Sequence, residues 1–191
     1  MPRMRLGVST IGVMVTLGLF ACRPAISAPD TPEGATNAPA PAAQASATTV
    51  ALDTEGLRFV DAQTGATRLL AFGSPAEQVH EAVSLSRQGP DAEQGTNPEC
   101  GVGPLDYSQW DDLTLWFRDD QFVGWAANRR GLTTMDGIGV GTPRAQLESG
   151  RAVNVEASTL GTEFQAGELY GLIDDAGLVS NLWAGESCNF R

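Results

Sequence analysis

The sequence predicts an α+β fold: an antiparallel sheet with helices on one face, built as two tandem strand–helix–hairpin repeats behind a disordered N-terminal tether. Three observations predict it. A phrase is written twice, first as Phe72-Gly73-Ser74-Pro75-Ala76-Glu77-Gln78-Val79 and again as Val140-Gly141-Thr142-Pro143-Arg144-Ala145-Gln146-Leu147. Downstream of each copy, two apolar runs flank an acidic turn, at 115–123 and at 171–179, which reads as a β-hairpin. Ahead of both copies, 23–49 is almost entirely Ala, Pro, Ser, Thr and Gly, with little to bury.

The N-terminal segment reads as an address. Arg3 and Arg5 precede a short apolar run from Leu6 to Phe20, a charged start and greasy core as in a secretory signal. The run is shorter than the roughly 20 residues a membrane-spanning helix needs. It ends Leu19-Phe20-Ala21-Cys22. Leu19, Ala21 and Cys22 resemble the bacterial lipoprotein signal, which implies diacylation of Cys22 after removal of 1–21. Arg23 stands where inner-membrane lipoproteins commonly carry Asp, so the resemblance implies a lipid anchor in the outer membrane, facing the periplasm. Ordinary cleavage after Ala28, giving a secreted or periplasmic protein, is the alternative. The stretch 22–49 is then a Pro- and Ala-rich, partly extended spacer.

Three cysteines in an exported chain leave one unpaired. Lipidation of Cys22 would account for it and leave Cys100 and Cys188 to form a disulfide in an oxidising compartment. Two buried free thiols are the other outcome. Cys100 lies in a Gly- and Pro-rich connector, 88–107, longer than its counterpart after the second phrase.

Repeat one is assigned to 50–135 and repeat two to 136–191. A hairpin opens the folded part, with 57–60 and 67–72 flanking a turn that contains Gly65. Each phrase reads as a helix start, with Ser74 or Thr142 as the cap and Pro75 or Pro143 as the first helical residue. The first helix, 74–87, places Val79 and Val83 inward and Glu77 and Glu81 outward, with His80 at the apolar edge. In the hairpin 113–127, strand alternation puts Leu113, Leu115, Phe117 and Phe122 on one face. Trp116, Arg118, Val123 and Trp125 fall on the other. In repeat two, Leu169, Ile173, Leu178 and Leu182 form the inward set, with Tyr170, Asn181 and Trp183 opposite. Two fates are open to these aromatics: exposure on an open sheet face, or burial beneath the long connector and one another.

Composition excludes some functions. The net charge is −11, and all 12 basic residues are Arg. An acidic chain with no basic stripe repels nucleic acid and anionic lipid alike, which leaves the lipid anchor as the only membrane attachment. No nucleophile elbow, phosphate loop, dinucleotide fingerprint or zinc-protease motif is present. His80 is the sole histidine, and the Asp pairs 111–112, 119–120 and 174–175 lack calcium-loop spacing. No cofactor, metal or catalytic residue is therefore expected.

The repeat-plus-hairpin pattern over 57–191 resembles the β-lactamase inhibitory protein and the small outer-membrane lipoprotein of the β-barrel assembly machinery. That resemblance implies a non-enzymatic protein-binding module that meets another envelope protein through a sheet face. Aromatics and Arg favour binding hot spots, so Trp116, Arg118, Trp125, Tyr170 and Trp183 are the candidate contact residues. The rivals are a small envelope hydrolase using carboxylates and a purely structural envelope lipoprotein.

Overall fold

A computed structural model describes residues 48–87 and 89–188. The signal segment 1–21, Cys22 and the tether through residue 47 lie outside the described residues. Thr48 and Thr49, assigned to the tether, instead begin the first strand.

The chain is β-rich, with two antiparallel sheets and two short helices. Strands β1 (Thr48–Asp53), β2 (Gly56–Asp61) and β3 (Thr67–Ala71) form a three-stranded meander. Helix α1 (Ala76–Ser86) follows, then β4 (Glu93–Asn97), β5 (Leu105–Gln109), β6 (Thr114–Arg118) and β7 (Gln121–Ala127). Helix α2 (Arg144–Gly150) leads into β8 (Asn154–Ser158), β9 (Gly161–Ala166), β10 (Leu169–Ile173) and β11 (Val179–Gly185). The last eight strands make one sheet, in the order β4-β5-β6-β7-β11-β10-β9-β8. Two four-stranded meanders thus meet at its centre, where β7 pairs antiparallel with β11.

The twice-written phrase does the same backbone work in both places. The Gly73 N–H donates to the Phe122 carbonyl at 2.7 Å, and the Phe122 N–H returns a bond to Ser74 at 2.9 Å. The Gly141 N–H donates to Val179 at 2.7 Å, and the Val179 N–H returns to Thr142 at 2.9 Å. Gly73 (φ 88°) and Gly141 (φ 91°) both sit in the left-handed region, where a side chain is disfavoured. The hydroxyls do not cap the helices as expected. Pro75 and Pro143 occupy the cap positions in extended conformation without a side-chain cap bond, and the helices begin one residue later. The phrase clamps a hairpin before it starts a helix.

One face of the large sheet, here the inner face, packs against α1, α2 and the small sheet. Leu115, Phe117, Phe122, Leu169, Ile173, Val179 and Leu182 join Val79, Val83, Leu147, Leu52, Leu57 and Leu70 in one core. The covering layer is therefore part helix and part sheet, because β1–β3 contribute as much to it as the helices of 11 and 7 residues.

Two β-bulges re-aim side chains. The pairing of β6 with β7 slips between Trp116 and Phe117, and that of β10 with β11 slips between Leu172 and Ile173. Each bulge adds a residue, Val123 or Ser180, and reverses the alternation beyond it. Trp125 consequently lies on the inner face, fully buried, with its Nε1–H donating to the Asp53 carbonyl at 2.8 Å. Its assignment to the open face is corrected. In repeat two the same slip makes Val179, not Leu178, the inward residue.

Strands β1, β4, β5, β8 and β9 were not foreseen. Of these, Glu93–Asn97 and Asn154–Ser158 are largely polar and pack little, so no apolar alternation announces those two.

Candidate functional site

The outer face of the large sheet is divided. Over the β4–β7 half lies a cover made from the connector and the C-terminal tail. Cys100 and Cys188 are disulfide-bonded, with Cα atoms 4.9 Å apart. They pack with Leu105, Trp116, Tyr107 and Val123 as a second apolar cluster. The Glu186 N–H donates to the Val123 carbonyl at 2.8 Å, holding the tail down. Arg118 straps the cover: its guanidinium donates to the Val102 carbonyl at 2.7 Å and lies 2.7 Å from a Glu186 carboxylate oxygen. Trp116 is left 9% exposed, and its Nε1–H finds no acceptor. Its fate is burial under the connector.

Among the described residues, no such cover lies over the β8–β11 half. Tyr170 and Trp183 face each other across β10 and β11 and stack with ring centroids 6.3 Å apart and planes 13° from parallel. They floor an open groove of about 800 Å³ between the disulfide-bonded cover and the β9–β10 turn. Trp183 is only 6% exposed, whereas Tyr170 is half-buried with its hydroxyl accepting from Gln165 Nε2 at 3.2 Å. Val102 and Val123 supply one wall, and Glu168, in the β9–β10 turn, the other.

The five aromatic and Arg candidates therefore separate. Tyr170 and Trp183 come together at the groove, and Arg118 lies beside it but is committed to Glu186 and Val102. Trp116 is covered and Trp125 faces the opposite way. Sequence reasoning missed Glu168, Val102 and Glu186. A signal for the carboxylates existed: 152–190 holds six of them (Glu156, Glu163, Glu168, Asp174, Asp175, Glu186) and no Arg.

His80 lies with Nε2 2.8 Å from Ser108 Oγ and Nδ1 3.1 Å from Gln94 Nε2, with its ring edge-on to Phe117. Burial lowers its pKa, favouring the neutral imidazole. Ser108 is only 1% exposed, so a substrate carbonyl has no approach to its hydroxyl. The pair joins α1 to β4 and β5. A second cleft of about 580 Å³ lies by Arg87 and Trp110, where the Arg87 guanidinium pairs with Asp112 and sits 5.5 Å above the indole. Its mixed charges neutralise one another rather than converge on a ligand. Among the described residues, no group of three His, Cys, Asp or Glu side chains could hold a metal ion. The chain matches no protein-family model, no curated protein and no solved structure.

Proposed function

We propose that this chain is a non-enzymatic, lipid-anchored cell-envelope protein that binds another protein through the open half of its sheet. The observation carrying the reading is the contrast on one face: an aromatic-floored groove left open in β8–β11 beside a half closed by a disulfide-bonded cover. Stacked aromatics in a concave, partly desolvated setting are the chemistry of binding hot spots. In this reading the two clamp-and-meander units are tandem repeats. One copy's outer face has been given to structure and the other's to recognition. The anchor rests on the lipoprotein-like run ending at Cys22, and it would hold the folded part at the outer membrane, facing the periplasm.

A photo-crosslinking residue at Tyr170, in the full-length chain expressed in its own cells, tests the surface. A single discrete adduct at this position, absent when the crosslinker replaces Leu85 on α1, supports it. Leu85 is 82% exposed and lies on the covering layer, so equal labelling at both sites would sink the proposal. Mass spectrometry of the mature N-terminus tests the anchor separately.

A further inference from the structure

Two side chains on the outer face of the β8–β11 half are more buried than their surroundings. Trp183 on β11 is 6% exposed and Glu163 on β9 is 5% exposed. Glu156 and Gln165 on the same face are exposed, and Tyr170, on the strand between, is half-buried. A sheet face turned to water leaves a bulky indole and a carboxylate partly wet. A carboxylate withdrawn from water needs a donor or a cation, and Glu163 is engaged by a polar or ionic contact. Both burials point to an occupant that is aromatic or apolar above Trp183 and carries a donor at Glu163.

The chain holds such a segment at the right place. Asn189-Phe190-Arg191 follows Cys188 directly and lies outside the described residues. Gly101 and Ser187, the sequence neighbours of the two bonded cysteines, line the groove, so the disulfide pins the start of this segment at the groove's wall. Arg191 is also the first basic residue after Arg151. We infer that Asn189-Phe190-Arg191 seats in the groove, with the Phe190 ring on Tyr170 and Trp183 and the Arg191 guanidinium at Glu163. The order of the residues matches the order of the strands: the aromatic floor on β11 and β10 comes first, and the carboxylate on β9 comes next. Strands are spaced by about 4.8 Å, and three extended residues span about 10 Å, so the reach suffices. A third ring suits a stacked aromatic pair, and a guanidinium–carboxylate bond is among the stronger polar contacts. The tether to the disulfide presents the ring at an effective concentration on the order of millimolar. Resting on the proposed protein-binding role, the seated segment is a built-in competitor: it shields the surface until a larger partner displaces it.

The test uses the full, disulfide-intact chain and a soluble nitroxide that broadens exposed resonances. Contacts between the Phe190 ring and the Trp183 indole should appear as nuclear Overhauser effects. Phe190→Ala should increase broadening of the Trp183 indole N–H by roughly threefold as the seated fraction falls. Arg191→Gln should increase it less, and added salt should reproduce that smaller change in the unaltered chain. The Trp125 indole, buried on the opposite face, should stay protected in every variant and reports that the fold is intact. Equal broadening of Trp183 in the unaltered chain and in Phe190→Ala would overturn the inference. So would shielding lost on about tenfold dilution, which would put a second copy on the floor instead. With the crosslinker at Tyr170, Phe190→Ala should raise the yield of the partner adduct, and an unchanged yield would overturn the competition. Tail-dependent shielding of Trp183 without any adduct at Tyr170 would sustain the seat and sink the binding surface, so the two failures are distinct.

Discussion

The two halves of the large sheet share a scaffold and differ in what lies on top. Both begin with a glycine in left-handed conformation that clamps a hairpin, and both carry a bulge at the matching place. Beyond the bulge, Gly124 in one half corresponds to Asn181 in the other. A methyl on Gly124 would come within 1.8 Å of the Glu186 carbonyl oxygen, because the tail runs directly over it. At Asn181, half-buried, no described segment lies above, and a full side chain is accommodated. The lesson is that the backbone does not decide which half is a surface. A cover of a few residues, held by one disulfide and one arginine, does.

The sharpest way to break this difference is to release the cover. Cys100→Ser with Cys188→Ser removes a cross-link between residues 88 apart in sequence. The chain-entropy model puts the loss at about 4–5 kcal/mol, enough to remove much of a small domain's stability. Urea unfolding with and without reductant measures it. A fall below about 1 kcal/mol would mean that the cover is held by packing alone. In whatever fraction stays folded, Trp116 should become open to acrylamide quenching while Trp125, on the other face, stays shielded.

The next test displaces the tail without touching the disulfide. Gly124→Ala forces a methyl against backbone, which cannot swing aside like a side chain. The expected cost is about 1–3 kcal/mol, the range for overpacking a tight site. Asn181→Gly, the reverse change at the corresponding place, should cost less than about 1 kcal/mol, since it removes only a partly exposed side chain and adds backbone freedom. Equal costs, measured by denaturant midpoint, would erase the distinction between the halves.

Much of this architecture was legible in the sequence, and the illegible part has definite causes. The repeated phrase and its acidic hairpins stood out because Gly, Pro and Asp are needed where φ is positive or fixed, as at Gly73 and Asp119–Asp120. The Cys100–Cys188 disulfide was one of two outcomes left open once Cys22 was set aside for the anchor, and the structure shows it formed. Trp125 was misplaced because alternation assumes an unbroken pleat, and a bulge leaves no residue signature as plain as a turn does. The edge strands were illegible because Glu93–Asn97 and Asn154–Ser158 bury almost nothing. The site was half legible. The aromatic pair Tyr170–Trp183 could be named, but which half stayed open depended on where Cys100 and Cys188 lay over the sheet.

A smaller effect separates the strap from the cross-link. Arg118→Met keeps the stem against the cover and removes its bond to Val102 and its ion pair with Glu186, both of which are partly exposed. The expected loss is about 0.5–1 kcal/mol and should shrink with added salt. A loss equal to that of the double Ser variant would make the arginine, rather than the disulfide, the main fastener.

The smallest effect is one of pH, and it also divides the halves. His80 and Glu148 lie five residues after their respective prolines, Pro75 and Pro143. His80 is half-buried against Ser108 and Gln94, whereas Glu148 pairs with Arg144 at the surface. Burial holds the His80 pKa below its ordinary 6.5, so the unfolded chain takes up the proton first as pH falls. Stability attributable to His80 is therefore complete above pH 6.5. It declines as pH drops from there towards the lower folded value, with a slope no steeper than about 1.4 kcal/mol per pH unit. His80→Gln should flatten the curve in that window. Further down, the hydrogen bond from Arg151 holds the Asp136 carboxyl at about 2, below its ordinary 3.8. Its contribution is present above 3.8 and fades as pH falls towards 2. It stays within about 1 kcal/mol because the pair is largely solvated. Denaturant midpoints from pH 8 to 2 should thus show one histidine-dependent step from the covered half, followed by an acid step that Asp136→Asn reduces. A curve unchanged between pH 7 and 5 would mean that His80 protonates as readily in the folded protein as in the open chain, and the packing of α1 against β4 and β5 would have to be looser than its hydrogen bonds indicate.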